Sequence, residues 1–261
     1  MTEQDMASLD QEVQDFRGRI KKEAEQTVLK RFPRVMLELD TLLNTEQFSL
    51  KNLTKVKSDP NIPVPPPGDL IDSEANEDSA INTNHMNHSK KRKLSNFHEV
   101  TQVSGTKVLA LPNGVSPCNP FISEIVSIVK PRVIQLVEDA NTIKMWILFL
   151  IPRIEDGNNF GVSIQEDTLG EVRTVEQEAA TYFDQVSRYY ISRGKIVAKI
   201  AKYPHVEDFR RTLEEIDEKE FLSLRLVVCE LRNHYATLHD MIVKNLEKIK
   251  KPRNSNTDNM Y

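Results

Sequence analysis

Residues 121–150 read FISEIVSIVKPRVIQLVEDANTIKMWILFL. Ile122, Ile125, Val126, Val129, Val133, Leu136, Val137, Ala140, Ile143, Ile147 and Leu150 recur at steps of three and four. That spacing lines one face of a helix with 3.6 residues per turn, whereas a half-buried strand needs alternation at period two. The run predicts one long helix from about Phe121, bent at Pro131, whose ring removes a backbone donor and crowds the preceding turn. Pro152 and the polar run Glu155-Asp156-Gly157-Asn158-Asn159 end it.

Outward from this helix the same period continues. Upstream, Val13, Phe16, Ile20, Ala24, Val28 and Leu29 lie within a periodic segment from about Leu9 to Leu43, with a kink expected near Arg31–Phe32 because of Pro33. Downstream, a third helix is expected from Ser163-Ile164-Gln165-Glu166, which has the form of a capping box, to about Lys202. Tyr203-Pro204-His205 breaks it. A fourth runs from about Val206 to Pro252 through Phe209, Leu213, Ile216, Leu224, Val227, Leu231, Tyr235, Leu238, Ile242 and Ile249. No strand run and no solenoid repeat is visible.

Between the first two helices the composition changes. Eight of the thirteen prolines fall between Pro60 and Pro120, both ends counted. Ser, Asn, Asp and His fill 69–89, a composition that cannot bury enough apolar surface to offset its ordering entropy. The expected organisation is therefore one all-α domain. Residues 1–59 supply helix 1, 60–118 form a flexible proline-rich insert, and 119–261 supply helices 2–4 and a tail. An island at Lys107–Leu111, before Pro112-Asn113-Gly114, reads as a short extended piece ending in a turn. Two of the three connections are short, which argues an elongated up-down-up-down four-helix bundle. In that topology the loop Ile154–Val162 and the C-terminus share one end, and the insert lies at the other.

The 261 residues carry 35 Lys+Arg against 39 Asp+Glu, a net charge of −4, so no strong polybasic or acidic balance selects nucleic acid or membrane. Eight glycines fit neither G-x-G-x-x-G nor G-x-x-x-x-G-K-[ST], which disfavours the common nucleotide enzymes. Two cysteines, Cys118 and Cys229, make no disulfide framework and leave no thiolate zinc site. Met1–Asp10 has no apolar h-region, and Met145–Ile151 is far too short to span a bilayer. These features point to a soluble, intracellular chain.

No catalytic constellation or metal site composes itself. His85 and His88 stand in the polar insert, and His234 and His239 are five apart and off one helical face. Glu214-Glu215-Ile216-Asp217-Glu218 reads as a solvated helix face and Cys229 as a small core residue. No cofactor is expected, and no enzyme activity. Three features remain. Lys90-Lys91-Arg92-Lys93 is a solvated charge cluster, a nuclear localisation signal or a weak phosphate patch, the second reading being favoured by its place on a mobile loop. Arg153-Ile154-Glu155-Asp156-Gly157-Asn158-Asn159-Phe160-Gly161 is a helix connector or a contact surface, with Phe160 unexpected in a plain connector. The tail Asn254–Tyr261, polar until Met260-Tyr261, is either a frayed end or a peptide that docks through its carboxylate.

Leu150-Ile151-Pro152-Arg153-Ile154-Glu155-Asp156-Gly157-Asn158-Asn159-Phe160-Gly161-Val162 resembles the activation-loop motif of the REG (eleven-S) proteasome activator family. Lys202-Tyr203-Pro204-His205-Val206-Glu207-Asp208, Leu238-His239-Asp240-Met241-Ile242 and Lys248-Ile249-Lys250-Lys251-Pro252-Arg253 resemble segments of the same family, in the same order. Phe32-Pro33 and Leu37-Glu38-Leu39-Asp40 extend the likeness to the first helix. The basic insert, Asn61-Ile62-Pro63-Val64-Pro65 and Gly105-Thr106-Lys107-Val108 are similar to the nuclear gamma type. The resemblance implies a homo-oligomeric ring of seven four-helix subunits that caps the proteasome core particle without ATP and opens its gate to peptide or unfolded clients. It implies that Glu155, Asp156, Gly157, Asn158, Asn159, Phe160 and Gly161 form the gate-activation loop. Asp258, Asn259, Met260 and Tyr261 would dock between alpha subunits of the core. Lys195 would face the central channel. A nuclear helical scaffold or adaptor that binds partners without activating a protease is the competing class.

Overall fold

The computed structural model describes residues 3–66, 111–153 and 159–253. Its long elements are α1 (Glu3–Gln26), α2 (Phe32–Leu43), α3 (Pro120–Leu150), α4 (Phe160–Lys202) and α5 (Glu207–Lys250). Among the described residues there is no strand. With α1 and α2 continuing one another as a single rod, four rods form an all-helical bundle. At about 1.5 Å per residue, α4 and α5 each run roughly 65 Å.

The expected kink in the first rod is a π-helical turn, Thr27–Arg31, in which the Phe32 N–H bonds the Thr27 carbonyl five residues back. Pro33 then sits within the first two positions of α2, where an absent amide hydrogen costs least. Two short 3₁₀ turns, Glu46–Phe48 and Leu50–Thr54, follow. Asn119 starts α3: its side chain accepts from the Ile122 N–H at 3.1 Å, and Pro120 opens the helix. Pro131 lies inside α3.

The third helix begins a turn earlier than the sequence suggests. Phe160 is its first residue, and the Ser163 N–H bonds the Asn159 carbonyl at 2.9 Å, so Ser163 stands inside the helix rather than at a capping box. Gln165, fully buried, uses its side chain on the ends of two other helices, described below.

The core is a continuous cluster along the bundle that includes Phe32, Trp146, Phe221 and Tyr235, all with no exposed surface. Phe32 meets Tyr235 edge-on at 5.0 Å and 80°. Burying each such large apolar side chain stabilises by about 1.5–3 kcal/mol. A smaller cluster, Ile62, Ile200 and Leu213, lies near the α4–α5 turn.

The acidic run on α5 is not uniformly solvated. Asp217 is completely buried, because it falls in register with Leu213, Phe221 and Leu224 on the core stripe. Tyr189 donates to its Oδ1 at 2.9 Å and Arg193 Nε at 3.1 Å, while Ser58 and Asn119 donate to Oδ2 at 3.0 and 2.7 Å. Arg193 also donates to Ser58 Oγ at 2.8 Å and to the Pro117 carbonyl at 3.0 Å. One buried ion pair thus binds the chain on both sides of the insert. Farther out, Asn61 and Asn113 bond each other, and Leu111–Gly114 closes a turn with Gly114 at φ +79°.

Candidate functional site

α4 organises one end of the bundle through its second turn. The Gln165 amide donates to the Leu150 carbonyl at 3.1 Å and the Ile249 carbonyl at 2.7 Å. The last carbonyls of a helix have no partner within it. A single buried side chain therefore holds the C-terminal ends of α3 and α5 to the start of α4. The loop after α3 and the chain after α5 must leave from the same place.

Three contacts then tie the base of the loop to the root of the tail. Arg253 Nη2 donates to Asn159 Oδ1 at 2.9 Å. The Lys248 ammonium lies 4.4 Å from the centre of the Phe160 ring, a cation–π contact. Gly161 is buried against Pro252, and a Cβ built on it would stand 2.1 Å from the Pro252 carbonyl oxygen. Here glycine is required for close approach of two backbones, so any side chain would push the tail root off α4. Ile151, Pro152, Arg153, Val162 and Arg253 line an open cleft of about 340 Å³ beside these contacts.

The end exposes basic and apolar side chains, with Glu166 on the same cleft as Arg153 and Arg253. Arg153, Lys248 and Lys251 are exposed, and Lys248 and Lys250 in the last turn of α5 complement its dipole. Phe160 keeps 63 % of its surface in solvent. Lys250 is the exception among the lysines, paired with Glu25 at 3.1 Å. Among the described residues no group of three or more His, Cys, Asp or Glu could hold a metal, and no helix is long and apolar enough to cross a membrane.

The sequence-predicted residues fall as follows. Asn159, Phe160 and Gly161 are at this end. Glu155, Asp156, Gly157 and Asn158, the tail residues Asp258, Asn259, Met260 and Tyr261, and the basic run Lys90, Lys91, Arg92 and Lys93 lie outside the described residues. His85 and His88 do too. Lys195 is exposed on α4, roughly 50 Å along the helix from Phe160. Sequence reasoning missed Gln165, Arg193 and Asp217. Their signal was positional: polar side chains standing at stripe positions of otherwise apolar faces.

The fold and site define an all-helical bundle of four rods that gathers the base of a connecting loop and the root of a tail at one end. The chain belongs to the PA28 proteasome activator family. It matches "Proteasome activator PA28, N-terminal" over residues 7–67 and "Proteasome activator PA28, C-terminal" over residues 115–259. Proteasome activator complex subunit 3 of Homo sapiens is 54 % identical over 263 residues, covering 98 % of this chain and 100 % of that protein. The Gallus gallus protein of the same name is 55 % identical over 249 residues, 95 % of this chain and 94 % of that one. Among solved structures, the 11S subunit PA28 of the Plasmodium falciparum proteasome superposes with a TM-score of 0.67 at 28 % identity, covering 95 % of each chain.

Proposed function

We propose that this chain is a non-catalytic, ATP-independent activator of the proteasome core particle, working as a homo-oligomeric ring of seven. Tails ending in Met260-Tyr261 dock between alpha subunits of the core, and the loop centred on Asn158 presses on the gate and admits peptide or unfolded clients. The observation that carries this reading is the joint anchoring of Asn159, Phe160 and Gly161 to Arg253, Lys248 and Pro252 respectively. Tail docking at a pocket thereby fixes where the loop stands over the gate. Seven tethered tails give avidity without any one being tight. The loop supplies the differential contact that favours the open gate. Lys90–Lys93 serve as a nuclear address, and Lys195 biases which peptides pass the channel.

Latent core particle, a fluorogenic peptide and this protein, mixed without ATP, test the reading. Stimulation is expected. Deleting Met260 and Tyr261 should abolish binding and stimulation together, whereas Asn158→Tyr should keep binding and lose stimulation. Full stimulation by the Asn158 variant would overturn the loop's role. Binding without any stimulation by the wild type would favour a scaffold. Lys195→Glu should alter cleavage preference, and an unchanged preference would remove Lys195 from the channel.

A further inference from the structure

The start of α1 carries a surface that no described residue of its own bundle covers. Met6, Leu9, Val13, Phe16 and Ile20 are spaced three, four, three and four apart, the spacing of a narrow helix-packing stripe. Among the described residues only its C-terminal end is used within the chain: Phe16 meets Phe149, near the end of α3, at 6.2 Å. All residues from Asp5 to Arg19 are exposed, with Met6, Leu9 and Val13 at 53, 50 and 47 %. α3 stops at Leu150, so the first turns of α1 continue past the bundle at the loop-and-tail end. On a helical wheel Asp10 and Glu12 flank the stripe on either side, and neither enters an ion pair among the described residues.

The complementary surface is on the same chain at the same height. Exposed Phe160 carries the Lys248 ammonium over its ring, Arg153 and Lys251 are exposed at the same end, and none of these three cations enters an ion pair among the described residues. The two surfaces sit at opposite corners of the bundle. α1 packs on α3, and α4, whose first residue is Phe160, packs on α3 and α5. In a ring of like-oriented rods, each contact joins different faces of neighbouring copies at equal height.

We propose that the first three turns of α1 dock on the neighbouring copy of this chain. There the Met6–Leu9–Val13 stripe covers Phe160, with Asp10 and Glu12 against Arg153, Lys248 and Lys251. This rests on the ring reading above and deepens it: each loop base and tail root is then braced by two subunits.

The test uses the full chain with Cys118→Ser, to remove the exposed cysteine. Leu9→Cys with Phe160→Cys, treated with a short bismaleimide, should give a ladder of covalent multimers on a denaturing gel. Each variant with only one of the two introduced cysteines should give none, Cys229 being present in all of them. Independently, Asp10→Lys/Glu12→Lys should weaken the assembly roughly tenfold or more by sedimentation. Adding Lys248→Glu/Lys251→Glu to the same chain should restore it. Absence of the ladder and unchanged assembly, in a wild type that sediments as a ring, would overturn this contact and leave the ring intact. A monomeric wild type would overturn both.

Discussion

Glu220 is a carboxyl whose chemistry the fold distorts. It keeps only 6 % of its surface in solvent, and its Oε1 has no hydrogen-bond partner among the described residues. Burial pushes its carboxyl up to about 7, against the opposing charge of Lys219. The native chain therefore holds a proton on Glu220 where the unfolded chain has released it. Stability contributed at low pH is lost as pH rises from the ordinary glutamate value to about 7, and the cost stays constant above that. Glu214 acts in the opposite direction, since Lys57 at 2.9 Å holds its carboxyl below the usual range. Comparing one variant with wild type isolates the first effect. Thermal melts at pH 5 and pH 8 should show Glu220→Gln gaining relative to wild type at the higher pH. A constant difference at the two pH values would refute the assignment. Asp139 is likewise raised by burial, although Arg31 at 2.6 Å opposes it.

At the scale of elements, two clamps hold the rods in register. At one end Asp217 and Arg193 gather α4, α5, the start of α3 and the segment before the insert. At the other, Gln165 satisfies carbonyls of α3 and α5. Gln165→Ala leaves both carbonyls without this donor and should cost about 1–3 kcal/mol. Amide exchange should quicken in the last turns of α3 and α5 while remaining slow around Arg193. Uniform quickening along the rods would mean general destabilisation and would count against a local clamp. Stimulation of the core particle should fall with that local loosening, since loop and tail lose their common anchor.

At the scale of the whole molecule the bundle is polar, with the insert's flanks at one end and the loop-and-tail surface at the other. Long stiff rods suit that division, because they separate the two ends by roughly 65 Å. The proposed ring multiplies one weak tail contact. Mixed rings of wild-type and tail-truncated copies should therefore lose core-particle affinity more steeply than the truncated fraction rises. A linear decline, measured by titrating mixtures against the core particle, would show independent rather than linked tails.

The rods were legible in the chain because helix periodicity is local: Ile122 through Leu150 specify their face with no help from elsewhere. Breaks at Pro152 and Tyr203-Pro204-His205 were legible for the same reason, and the count of rods with short connections placed loop and tail at one end. The start of α4 was not legible. Ser163-Ile164-Gln165-Glu166 has the form of a cap, yet the helix opens at Phe160 and the Ser163 N–H already bonds the Asn159 carbonyl, while Gln165 reaches carbonyls of helices far away in sequence. Nor was the burial of Asp217, whose acidic neighbours look solvated until Arg193, Tyr189, Asn119 and Ser58 converge on it. Chain order alone specifies the rods, the breaks between them and the polarity of the bundle. Which polar side chains join its ends is settled on folding, because a buried hydrogen bond depends on groups that chain order keeps apart.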